Sequence, residues 1–194
     1  DAIVGECPAV VALRDSIRTI VDQAASLSRR PFILVVGETG AGKDLVAQVL
    51  HRAGPRSDGP YMVTSLTSMP SELLESELFG YVPGGFNIPP EKTSGWELAQ
   101  GGMLVLEGIE FASSQLWPKI IRTLQTQSVR RIGATRAQPV DAWTIATSHW
   151  PLECSVGDRT LGEWLAPLDP VVLTIPRLRD RGDDIQLLAD HFLA

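Results

Sequence analysis

Apolar and polar positions along this chain follow two rhythms, and the switches between them set out its elements. Residues 10–27 (VVALRDSIRTIVDQAASL) carry Val11, Ile17, Ile20, Val21 and Leu27 at helical spacing. Arg29-Arg30-Pro31 breaks that helix. Residues 32–36 (FILVV) are instead continuously apolar, the pattern of a strand buried on both faces of a parallel sheet. A glycine-rich turn over 37–42 leads into a second helical stretch, 43–52, with Leu45, Val46, Val49 and Leu50 on its apolar face. Residues 61–63 then predict a short strand. A helix is expected over 71–79, with Ser71 as N-cap and acids in its first turn. Strands follow at 103–106, 143–146 and 171–175, and helices at 117–124 and 184–194. Residues 80–95 hold three prolines and four glycines and predict a loop. Strands alternating with helices predict an α/β fold with a mostly parallel sheet. No internal repeat or low-complexity tract is visible.

Composition narrows the class. The chain has 194 residues, 44% of them hydrophobic and 21% charged, which suits a folded domain rather than a disordered one. Its net charge of -6 argues against this segment as the main grip on nucleic acid, which needs a basic face. No apolar run approaches the roughly 20 residues of a membrane span, and the first residues lack the basic start of a signal peptide. A cytoplasmic protein with no membrane partner is the expectation. Two cysteines, Cys7 and Cys154, without CxxC spacing argue against a disulfide scaffold or a zinc site. His51, His149 and His191 have no ligand spacing, and the five tryptophans are scattered as packing residues are. A start without Met and an end in a helical pattern lead us to expect a piece of a longer protein.

The strongest local chemistry is GETGAGKD, formed by Gly37, Glu38, Thr39, Gly40, Ala41, Gly42, Lys43 and Asp44. It matches G-x-x-x-x-G-K, with Asp44 where Ser or Thr is usual. Glycines let successive backbone N–H groups turn inward, and these groups with the following helix N-terminus cradle phosphate oxygens. Lys43 adds a point charge for the β- and γ-phosphates. The apolar strand before and the helix after supply the context the motif needs. The plain alternative is a glycine-rich turn with an incidental lysine. Asp44 is a candidate magnesium ligand, directly or through water.

Five segments then follow in order: GETGAGKD, LLESELFG at 73–80, AQGGMLVLEGIE at 99–110, IIRTLQTQSVRRIG at 120–133 and IPRLRDRGDDI at 175–185. Together they resemble the AAA+ domain of bacterial enhancer-binding proteins, the activators of sigma-54 RNA polymerase, over nearly the whole chain. The resemblance implies a three-layer P-loop NTPase fold. It implies ATP or ADP with Mg²⁺ as ligands, a ring-type homo-oligomer or dimer, RNA polymerase holoenzyme as partner, and DNA bound through a domain outside this chain. On that reading residues 1–194 form the α/β nucleotide-binding subdomain, with the helical lid mostly beyond it.

The resemblance also locates departures. Where the family reads GGTLFLDE this chain reads GGMLVLEG, so Glu107 stands at the metal-holding Asp and Gly108 at the water-polarising Glu. Glycine cannot act as a base, and losing a general base typically costs about 10²–10⁴-fold. Glu107 as a substitute base is the alternative. Ser65 replaces the Asn that restrains that Glu, and Ser148 replaces the sensor Asn while keeping a hydroxyl for phosphate or water. Arg159 is the sole arginine in the segment that carries the family's trans-acting arginines, and Pro167 falls near the second position. The family's sigma-contacting GAFTGA becomes residues 84–89, GGFNIP, stiffened by Pro89-Pro90. Arg177, Arg179 and Arg181 approach nucleotide or a neighbouring subunit, or form surface salt bridges.

The expectation is a nucleotide-binding module of a bacterial transcriptional regulator, in which occupancy controls oligomerisation and activation and hydrolysis is weak or absent. The alternatives are an active sigma-54-dependent ATPase that remodels polymerase, and a non-hydrolysing domain governed by another ligand such as a cyclic dinucleotide.

Overall fold

A computed structural model describes residues 3–68, 70–83 and 91–193. Helix α1 (Pro8–Ser26) opens on a proline, whose missing N–H costs nothing in a first turn. It buries Val10, Leu13, Ile17, Ile20 and Ala24. Strand β1 (Ile33–Val36) is buried at all four positions. Helix α2 (Lys43–Ala53) follows the glycine-rich turn, then β2 (Tyr61–Ser65), α3 (Ser71–Phe79), α4 (Gly95–Leu98) and β3 (Met103–Glu107). Helix α5 (Trp117–Thr126) leads to a two-residue hairpin, β4 (Ser128–Val129) with β5 (Gln138–Pro139). Strand β6 (Trp143–Ser148) is followed by a second small hairpin, β7 (Ser155–Val156) with β8 (Arg159–Thr160), then α6 (Leu161–Leu165), β9 (Val171–Thr174) and α7 (Asp184–Leu193).

The main sheet has the order β2-β3-β6-β1-β9, and every pair is parallel. Side chains alternate across it, as strand geometry requires. Ile33, Val35, Met103, Val105 and Ile145 face a core shared with α1 and α2. Leu34, Leu104, Leu106 and Ala146 face a second core with Trp96, Trp117 and Ile120. Three layers result, as the sequence predicts. The register sets Val36 beside Ser148 and Thr174, Glu107 beside Thr147, and Ser65 beside Glu107. The carboxyl ends of five strands therefore meet along one edge, the edge at which open α/β sheets bind ligands.

Two local expectations need correction. Helix α3 begins at Ser71 itself, with Pro70 in the cap position, so Ser71 is not the N-cap. The 80–95 loop ends early, because Gly95 opens α4. Ser94 caps that helix, accepting from the Glu97 N–H at 3.1 Å, while the Glu97 carboxylate accepts from the Ser94 N–H at 3.1 Å. Glu97 also receives Arg131 Nε and Nη2 at 2.9 and 2.7 Å, a bidentate clamp that ties α4 to the residues after β4. Trp117 of α5 and Trp164 of α6 stack at 5.6 Å with their planes 8° apart. At the other side of the molecule the Asp184 carboxylate accepts the Glu6 N–H at 2.6 Å and the Cys7 N–H at 3.1 Å, joining α7 to the start of α1. Those two backbone N–H groups hold the Asp184 carboxyl below its ordinary value. Gly5, at φ +140, permits the approach, since a Cβ there would lie 2.5 Å from Asp184 Oδ2.

Candidate functional site

The glycine-rich turn lies between β1 and α2. Gly40 and Gly42 have φ of +77 and +96, conformations that side chains resist, and Gly42 is the N-cap of α2. The Gly37 N–H donates to the Ser148 carbonyl at 3.1 Å, which fixes the start of the turn to the end of β6. Lys43 is buried although charged. Its Nζ donates to the carbonyls of Gly37 and Glu38, both at 3.0 Å, so the side chain folds back beneath the turn and keeps one donor for a ligand. Burial pushes its pKa below the ordinary lysine value, while the carboxylates of Glu110, Asp44 and Glu107 act to raise it. Asp44 is exposed in the first turn of α2. Glu38, Thr39 and Gly40 are exposed, and Ala41 is half-buried.

The turn is braced from the chain beyond β9. Glu38 Oε1 pairs with Arg179 Nη2 at 2.8 Å and Arg177 Nε at 3.3 Å. Arg181 is buried, donating to the carbonyls of Pro176 and Ala41 at 3.3 and 3.5 Å. Of the roles open to these three arginines, two form surface pairs and one supports the turn. A cavity of about 420 Å³ adjoins Gly40, Gly42, Ile175, Ile185 and Phe192.

The strand ends beside the turn carry Glu107, Gly108, Ser65 and Ser148. Glu107 closes β3 and is half-buried. Gly108 is left-handed, at φ +70, and a Cβ there would lie 2.9 Å from Thr67 Cγ2. The Gly108 N–H donates to Thr147 Oγ1 at 3.3 Å. The Ser65 hydroxyl pairs with that of Thr67 at 3.0 Å. Ser148 is fully buried, and its hydroxyl donates to the Trp150 carbonyl at 2.8 Å and accepts the Trp150 N–H at 3.0 Å. Ser148 therefore supports the turn through its backbone carbonyl while its side chain closes a local loop. Arg159 is exposed on β8, with its guanidinium 4.9 Å above the Trp164 ring. The hexad at 84–89 and Pro90 lie outside the described residues.

Two residues at this edge were not singled out from the sequence. Glu110 is almost wholly buried, at 3% exposure. Its Oε1 accepts the His149 N–H at 2.8 Å and pairs with His149 Nδ1 at 2.9 Å. Its Oε2 is buried without a hydrogen-bond partner. The available signal was a second acid in an apolar run, MLVLEGIEF. What hid it was the 3₁₀ turn of residues 109–111, which rotates that acid inward. Among the described residues no group of three or more His, Cys, Asp or Glu is placed to hold a metal ion by itself, and no helix is long and apolar enough to cross a membrane.

Comparison with known proteins places this architecture. The profile of the sigma-54 interaction domain matches residues 3–166. The chain is 36% identical over 194 residues to the transcriptional activator RocR of Bacillus subtilis, spanning 100% of this chain and 41% of that protein. Crystal structures of NtrX from Brucella abortus superpose closely. The ADP complex has a TM-score of 0.80 at 28% identity, covering 97% of this chain and 41% of that one. The ATP complex has a TM-score of 0.79 at 27% identity, covering 97% and 40%. The chain thus spans about two fifths of the length of such relatives. Profile, relatives and the parallel five-stranded sheet agree, and the chain belongs to the sigma-54 interaction domain family, the AAA+ P-loop NTPases of bacterial transcriptional activators.

Proposed function

We propose that this domain binds ATP or ADP through Gly37, Glu38, Thr39, Gly40, Ala41, Gly42, Lys43 and Asp44, and that occupancy sets the self-association of a longer transcriptional regulator. The observation that carries the reading is Lys43, a buried ammonium held beneath a turn whose two left-handed glycines open at the N-terminus of α2. The cavity beside the turn has the apolar character and the size that a base requires. Asp44 and Glu107, whose carboxylates both act on Lys43, are hard oxygen donors, the ligand type Mg²⁺ takes together with substrate phosphates. The assembly is a ring-type homo-oligomer or dimer acting on RNA polymerase holoenzyme, with DNA held by another part of the regulator.

Hydrolysis by the family's usual route is disabled in this reading. Gly108 supplies no carboxylate, Ser65 and Ser148 have their hydroxyls engaged, and Arg159 rests on Trp164. Charge stabilisation and positioning carry most phosphoryl-transfer catalysis, so their loss lowers turnover rather than binding.

Titration calorimetry on the full-length protein tests the proposal. Wild type should bind ADP or Mg-ATP, and Lys43→Ala should bind at least about tenfold more weakly, roughly 1.4 kcal/mol. Equal binding by the two proteins, or tight binding of a cyclic dinucleotide with none of ATP, rejects it. Light scattering with nucleotide present should show a mass above the monomer.

A further inference from the structure

We infer that Glu110, held by His149, takes the water-polarising role for which Gly108 has no side chain. The inference rests on nucleotide binding at Gly37 to Asp44. Gly108 turns the chain in the left-handed region directly after β3, and the 3₁₀ turn that follows swings Glu110 back to the sheet edge. Its side chain is fully shielded, and His149 fixes it through two hydrogen bonds to one oxygen, at 2.8 and 2.9 Å. Among the described residues, Glu110 Oε2 is the one buried carboxylate oxygen without a hydrogen-bond partner. Such an oxygen is costly unless something bonds to it, and a water is the natural donor.

The position is set by backbone on both sides. His149 directly follows Ser148, whose carbonyl holds the first N–H of the phosphate turn. Gly108, two residues before Glu110, is tied to Thr147. The same carboxylate heads the charges that Lys43 senses, ahead of Asp44 and Glu107. Glu107 is the weaker candidate, being half-exposed and without a side chain to orient it among the described residues.

The step is a simple hydrolysis. The water oxygen forms a bond to the γ-phosphorus as the bond from that phosphorus to the bridging oxygen of ADP breaks. The water proton passes to Glu110 Oε2 and then to the released phosphate, which regenerates the carboxylate. His149 does not touch the substrate. It is a positioning residue.

The test uses the full-length protein with ATP, with ADP, and with ADP plus aluminium fluoride as a transition-state mimic. Wild type should show slow single turnovers. Glu110→Gln should lose about 10²-fold in that rate and bind the mimic correspondingly more weakly. Its affinity for ADP should stay within about threefold of wild type, which also shows that the variant folds. His149→Ala keeps the backbone donor, so it should lower the rate about tenfold with KM unchanged. Glu110→Asp should fall between wild type and Glu110→Gln. Wild-type rate and mimic affinity in Glu110→Gln overturn the inference, as does a wild type with no turnover. Failure of wild type to bind ADP is a different result, which removes the nucleotide reading beneath it.

Discussion

The phosphate turn and the strand ends beside it lie against each other, yet they meet very different chemical demands. The turn needs only backbone N–H groups, two left-handed glycines and one cation, and it has them in Gly40, Gly42 and Lys43. On the proposed reading, the ends of β2, β3 and β6 are where a base, a restraint and a phosphate sensor would be needed. There the side chains are Ser65, bonded to Thr67, Gly108 with none, and Ser148, bonded to Trp150. Ground-state binding and transition-state stabilisation are separate free energies. On the proposed reading, this sheet edge keeps the first while the second is rebuilt or lost.

The sharpest way to break the contrast is to measure turnover. ATP hydrolysis by the full-length protein should run at least about 10²-fold below 1 per second, the low end of ordinary enzymes. A rate near 1 per second would make the strand ends as functional as the turn. Gly108→Glu comes next. The left-handed backbone and the 2.9 Å approach to Thr67 predict a loss of about 1–3 kcal/mol of stability in urea unfolding. Turnover should not recover, because Ser65 is unchanged.

Asp184 provides a comparison outside the phosphate turn itself. Its carboxyl is held below the ordinary value by the Glu6 and Cys7 N–H groups, so the folded form binds its proton less readily than the unfolded chain does. The stabilisation is then fully present above the unfolded carboxylate value and disappears as pH falls through the lower folded one. Asp184→Asn should flatten that acid limb in fluorescence-monitored unfolding. The smallest effect is expected at Glu38, whose exposed pairs with Arg177 and Arg179 should be worth less than about 1 kcal/mol. Glu38→Ala should barely shift Tm.

The legible parts of the sequence were those written in local pattern. FILVV, MLVL and WTIA each formed a buried strand because a parallel sheet covers both faces, whereas VVLTI has the same apolar pattern but forms the edge strand β9, with Val172 and Thr174 exposed. GETGAGKD gave its turn because glycine and lysine spacing directly reflects the backbone it must adopt. Helix α4 escaped because four residues are too few to show a helical period, and its capping box lay among prolines and glycines. The Glu110 and His149 pair escaped for another reason. Its partners are 39 residues apart, joined only when β3 and β6 align, and no local period records that alignment.

The stacked indoles of Trp117 and Trp164 turn the Arg159 segment into its own optical label. Two chromophores 5.6 Å apart and nearly parallel couple their transitions, and the guanidinium of Arg159 lies on the outer ring of the pair. Any event that lifts Arg159 away, or slides α6 against α5, changes the environment of that pair and hence the near-ultraviolet circular dichroism of the native protein. Any rearrangement of this region can therefore be followed without attaching a dye.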